Sequence, residues 1–113
     1  MSRKASGLKA WVLQRATADY VGLFATYLIL VMLFAAPADY AAWRDWFASP
    51  IMGIATLLFV VSVLLHAWVG IRDVLIDYVW NTPARVTALA LVALMLIGCG
   101  LWASQSLILV RLI

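Results

Sequence analysis

Apolar residues in this 113-residue chain fall into three long runs separated by short polar breaks. The first covers about 20–36, the second 51–71, and the third about 86–110, with Gln105 as the main interruption of the last. Each is close to the ~20 residues a helix needs to cross the hydrocarbon core of a bilayer. Backbone in lipid must satisfy its own hydrogen bonds, so the runs predict helices and not strands. The breaks agree. Pro37 follows the first run. Ser49-Pro50 precedes the second, with Ser49 as N-cap and Pro50 in the first helical position. Thr82-Pro83 repeats that arrangement before the third. Between the first two runs, Tyr40, Trp43 and Phe47 recur at helical spacing and predict a short helix in the membrane interface.

Composition turns three helices into three membrane spans. The chain is 67% hydrophobic and 12% charged, with mean hydropathy +1.06. Soluble domains run near 45–50% apolar and about 25% charged. We therefore read residues 1–113 as one all-α integral membrane domain of three transmembrane helices. Three spans are too few to enclose a large cofactor, which implies a place in a hetero-oligomeric helical bundle. Ala36-Pro37-Ala38 resembles a cleavage site, but the preceding run of about 17 residues is longer than a signal-peptide core, so a retained first span is expected.

The net charge of +3 is a topology signal. Arg3, Lys4, Lys9 and Arg15 precede the first span, and Arg72 and Arg85 lie between the second and third. Arg44 alone lies in the first loop and Arg111 alone in the tail. Six against two places the N-terminus and the 72–85 loop in the cytoplasm and the C-terminus outside. No basic stripe with interleaved aromatics suggests nucleic acid; the expected surroundings are membrane lipid and partner chains. Cys99, the sole cysteine, is expected to pack in the third span, where Gly98 and Gly100 read as helix-packing positions. No CxxCH occurs, so any haem would be held without a covalent bond.

His66, the sole histidine, lies inside the uncharged run 51–71. An imidazole there is costly and marks a functional site: a haem ligand, a hydrogen bond to a neighbouring helix, or a proton path. If the helix continues toward Tyr78, then Ser62, His66, Gly70, Asp73 and Asp77 lie within about 40° of one direction. Gly70 would let a flat ring approach the backbone. His66 and Asp77 would stand about 16 Å apart along the axis. A six-coordinate haem would need its second ligand from another chain. Tyr78 offers a phenol that can donate to a carbonyl such as a quinone's, and Asp77 an acceptor beside it; taken alone, ordinary interfacial anchoring is the favoured account of both residues. Trp80 reads as a belt residue. Arg15 either pairs with a haem propionate or is a positive-inside charge paired with Asp19 one turn on.

His66-Ala67-Trp68-Val69-Gly70 followed by Asp77-Tyr78-Val79 resembles the small membrane-anchor chain (the small cytochrome b chain) of bacterial succinate dehydrogenase. Gln14-Arg15-Ala16-Thr17-Ala18 is similar to that family's arginine motif before the first span, and the likeness covers nearly the whole chain. The resemblance implies that His66 ligates the iron of haem b, with the second imidazole from the companion anchor chain. It implies that Tyr78 hydrogen-bonds ubiquinone, that Asp77 lies beside that pocket, and that Arg15 approaches the haem propionates. It places FAD and the iron–sulfur clusters in a flavoprotein subunit and an iron–sulfur subunit, which oxidise succinate, and the assembly in the bacterial inner membrane. Arg72 and Asp73 depart from the family's uncharged pattern. An anchor of a related quinone-linked complex such as fumarate reductase, and a small structural or assembly membrane protein without redox chemistry, are the alternative readings.

Overall fold

A computed structural model describes the backbone of residues 3–112 and the side chains of residues 7–112, and all of its regular structure is helical. The positive-inside residues Arg3 and Lys4 have side chains outside the described residues. Helix α1 spans Arg3–Phe34, α2 Tyr40–Ala48, α3 Pro50–Tyr78 and α4 Thr82–Leu112. α1, α3 and α4 are long and apolar enough to cross a membrane, the α1 span being counted from Gly7.

α1 starts well before the apolar run that announced it. Residues 3–19 are rich in Lys, Ala, Leu, Gln and Arg, which favour helix without raising hydropathy. The helix also stops at Phe34, two residues short of the end of that run and ahead of Pro37. α2 begins where the Asp39 carboxylate accepts the Ala42 N–H at 2.9 Å. Ser49 then serves two helices. Its hydroxyl donates to the Trp46 carbonyl at 2.8 Å and accepts the Met52 N–H at 3.4 Å, closing α2 and opening α3. Pro50 follows in the first turn of α3, as the pattern predicts.

The same pattern misplaced the start of α4 by one residue. Thr82 is already helical, and Asn81 is the cap: its side-chain oxygen accepts the Ala84 N–H at 3.2 Å. Asn is as good an N-cap as Ser and better than Thr, so the earlier residue wins.

α3 is the middle element, with α1 packed on one side and α4 on another, while α2 touches α3 and α4. The three long helices alternate in direction. Phe24 on α1 meets Phe59 on α3 with ring centroids 5.0 Å apart, and the Tyr20 hydroxyl donates to the Ala55 carbonyl at 2.6 Å. Among the described residues, only Thr17, Phe24, Met52 and Val69 are buried. Most of the large apolar side chains are exposed, as expected of a chain surrounded by lipid and other helices and not by water.

The glycines of α4 divide. A Cβ on Gly100 would lie 2.7 Å from Leu64 Cδ1 of α3, so this glycine permits the helices to approach. A Cβ on Gly98 would meet nothing within 4 Å. Cys99, expected to pack, is exposed. The 100° step from Gly100 turns it off the α3 seam.

Candidate functional site

His66 lies two residues past the midpoint of α3 and is half-buried against α1. Its Nδ1 is 3.3 Å from the hydroxyl of Thr17, a residue only 6% exposed. The same hydroxyl is 2.7 Å from the Leu13 carbonyl and 3.1 Å from that of Gln14. A membrane threonine often returns its proton to the preceding turn in this way. One turn along α3 from His66, Gly70 faces Gln14: a Cβ there would stand 3.7 Å from Gln14 Nε2. Gln14 Oε1 is buried with no hydrogen-bond partner.

His66, Gly70 and Gln14 line an open groove of about 310 Å³ together with Ala67, Ile71, Val74 and Leu75. Its walls are almost wholly apolar, and the imidazole and the Gln14 amide supply the polar exceptions. Chemically it offers one ring nitrogen as a ligand, bare backbone at Gly70, and an amide oxygen able to accept a hydrogen bond. It has one wall missing, where a second chain could close it.

Asp77 and Tyr78 stand apart from the groove, at the last turn of α3. The helix runs unbroken from Pro50 to Tyr78, so the ~16 Å axial interval from His66 holds. Asp77 keeps the His66 side of the helix, and Tyr78 turns about 120° away. Both are exposed, Tyr78 at 79%. The turn that follows is closed by the Val79 N–H on the Leu75 carbonyl at 2.9 Å and by the Trp80 indole N–H on the Asp77 carbonyl at 3.2 Å. Trp80 thus caps the helix end that carries Asp77 and Tyr78, while its ring, 87% exposed, is free for the belt position expected of it.

Arg15 lies level with Gln14 but on the next face of α1. Its side chain is 71% exposed and pairs with Asp19 at 3.8 Å, one turn on. Arg72 and Asp73 pair with each other at 3.1 Å near the end of α3, both partly exposed. Ser62, placed on the stripe by helical spacing, is half-buried one turn above His66.

The structure therefore gathers His66, Gly70, Gln14 and Thr17, leaves Arg15 beside them on another face, and holds Asp77 and Tyr78 at the helix end. Sequence reasoning named Thr17 and Gln14 only as neighbours of Arg15 in its motif and gave them no role of their own. Their signal was present: two hydrogen-bonding side chains three residues apart share one face of α1 at the entry to an apolar span.

Three membrane-length helices, a solitary intramembrane histidine seated on a neighbouring helix and little buried core define a helical membrane anchor built to be completed by other chains. Residues 1–101 match the family described as succinate dehydrogenase/fumarate reductase transmembrane subunit. The chain belongs to that family and is a membrane-anchor subunit of the succinate dehydrogenase kind. The succinate dehydrogenase hydrophobic membrane anchor subunit of Coxiella burnetii is 38% identical over 105 residues, which span 93% of this chain and 91% of that one. The succinate dehydrogenase 2 membrane subunit SdhC of Mycobacterium tuberculosis is 34% identical over 87 residues, 75% of this chain and 63% of its own length.

Proposed function

We propose that this chain anchors a succinate:ubiquinone oxidoreductase in the bacterial inner membrane, supplies one axial imidazole to haem b through His66, and forms part of the ubiquinone site through Tyr78 and Asp77. The observation that carries the reading is the seat of His66. Nδ1 is engaged by Thr17, which leaves Nε2 for a metal, and the adjoining groove is apolar and open on one side. Gly70 and the orphaned Gln14 oxygen fit the same reading, since a flat ring needs bare backbone and a polar rim needs partners. The chain has one histidine, so a second imidazole for haem b would come from the companion anchor chain. Bound there, haem b would carry single electrons.

Arg15 would reach a haem propionate by exchanging Asp19 for it, a small loss because exposed ion pairs are worth little. Tyr78 would donate a hydrogen bond to a quinone carbonyl, and that bond would strengthen as charge develops on the oxygen. Asp77, one residue before it, would help deliver protons. FAD and iron–sulfur clusters belong to the flavoprotein and iron–sulfur subunits. The succinate-oxidising direction is supported by the names of both relatives, each a succinate dehydrogenase chain. The Lys/Arg asymmetry supports a cytoplasmic N-terminus, and the packing of Gln14 beside Gly70 supports the Asp77–Tyr78 end of α3 lying on that same side.

The test is His66→Ala in the complex assembled with its partner subunits. Loss or strong alteration of the low-spin haem spectrum, with the complex still inserted, is the expected result. An unchanged spectrum refutes ligation by His66.

A further inference from the structure

We propose that Thr17 is a positioning residue that selects the ring tautomer of His66 and so readies Nε2 as a ligand; this rests on the haem reading only for its second experiment. The argument is a count of protons. A threonine hydroxyl has one proton to give and lone pairs to receive. At 2.7 Å the Leu13 carbonyl is the shorter partner and takes that proton, with the Gln14 carbonyl at 3.1 Å sharing it. The hydroxyl then meets His66 Nδ1 as an acceptor, at 3.3 Å. Nδ1 must carry the ring N–H, and Nε2 keeps its lone pair.

The opposite arrangement would send the hydroxyl proton over the longer contact and put the ring proton on Nε2. A metal could bind there only after that proton had left. Burial makes the choice matter. Thr17 is 6% exposed, enclosed where α1 packs on α3, so water does not replace a missing acceptor. Histidines that bind metals generally donate their other N–H to a fixed oxygen, which sets ring orientation and raises ligand basicity. Here that oxygen is on a different helix, so the α1–α3 contact itself orients the imidazole.

Two measurements test the proposal, each with Thr17→Val, which keeps the shape and removes the acceptor, and Thr17→Ser, which keeps the hydroxyl. The first needs no haem. The full chain, labelled with ¹⁵N-histidine and placed in phospholipid bilayers at alkaline pH, gives signals from a single imidazole, because His66 is the only histidine. Wild type and the Ser variant should show Nδ1 protonated and Nε2 bare, and the Val variant should shift toward the tautomer protonated on Nε2. A wild-type ring already protonated on Nε2, or a Val variant identical to wild type, overturns the proposal.

The second uses the assembled complex and a redox titration of its haem. Loss of the acceptor should weaken the ligand's preference for ferric iron about tenfold, raising the potential by about 59 mV in the Val variant, with the Ser variant near wild type. Equal shifts in both variants, or none in either, count against a hydrogen-bonding role. If His66→Ala leaves the haem spectrum untouched, the haem reading falls, while the tautomer result is decided by the first measurement alone.

Discussion

Gly98 and Gly100 give the packing of α3 on α4 a controlled experiment. Both lie in the interior of the same helix, two residues apart. Replacing either with alanine gains the same helix propensity, about 1 kcal/mol, so that contribution cancels when the two variants are compared. What remains is the contact. A Cβ on Gly98 enters open space, whereas one on Gly100 lies 2.7 Å from Leu64 Cδ1. Carbon atoms at optimal separation stand about 3.5–4.0 Å apart, so Leu64 or the helix must give by about 1 Å. The atom met is the far end of a flexible side chain, so the cost is that of moving the leucine off its rotamer, about 0.5–1.5 kcal/mol. Gly100→Ala should therefore be less stable than Gly98→Ala by about 0.5–1.5 kcal/mol. Unfolding of the purified chain in mixed micelles, titrated with a denaturing detergent, reads the difference. Adding Leu64→Ala to each variant completes a double-mutant cycle, in which the penalty at Gly100 should disappear. Equal stabilities for the two alanine variants, or a penalty that survives removal of Leu64, would refute the close approach of α4 to α3 at this point.

Reporter fusions after Ser2 and after Ile113 should place the N-terminus in the cytoplasm and the C-terminus outside; both ends on one side would contradict three crossings. Tyr20→Phe removes the hydroxyl that reaches the Ala55 carbonyl from α1, and should cost about 0.6 kcal/mol, at most about 1.7, in the same detergent titration. Tyr78→Phe should leave stability within about 0.5 kcal/mol, because the side chain is 79% exposed. Quinone reduction by that variant complex should nevertheless fall at least about tenfold, or ~1.4 kcal/mol of transition-state stabilisation. Succinate oxidation with a soluble artificial acceptor should be nearly unchanged, and quinone reduction at the wild-type rate would make Tyr78 a belt residue only.

Hydropathy and caps were enough to locate α3 within a residue at its start, because Ser49-Pro50 is both a local chemical signal and the edge of the apolar run. They were weaker wherever helix and apolar run part company. The first half of α1 is helical and polar, so a search for lipid-soluble segments begins at Tyr20 and misses the part of the helix that carries Gln14 and Thr17. The cap at Asn81 lost out on paper to the more familiar Thr-Pro pair beside it. Exposure of Cys99 is a matter of which face of α4 meets α3, and uniform apolarity around a membrane helix hides its facing. His66 could be singled out from sequence because charge and imidazole are rare in such a run. Its partner could not, because Thr17 lies 49 residues away and only the antiparallel pairing of α1 and α3 brings the two together.

The unbroken course of α3 from His66 to Asp77 has a consequence for what evolution or design can adjust in this chain. On a straight helix, depth and facing are one variable: each inserted residue moves a group about 1.5 Å and swings it about 100°. Two groups that must look the same way can therefore be about 10.5 Å apart, at seven residues, or about 16.5 Å apart, at eleven, with no usable spacing between. A shift of the Asp77–Tyr78 end by a few ångströms relative to the imidazole is closed to single insertions or deletions in α3. Fine adjustment of that distance must come from tilting whole helices or from the chains that pack against them, while α3 itself keeps its gauge in whole steps.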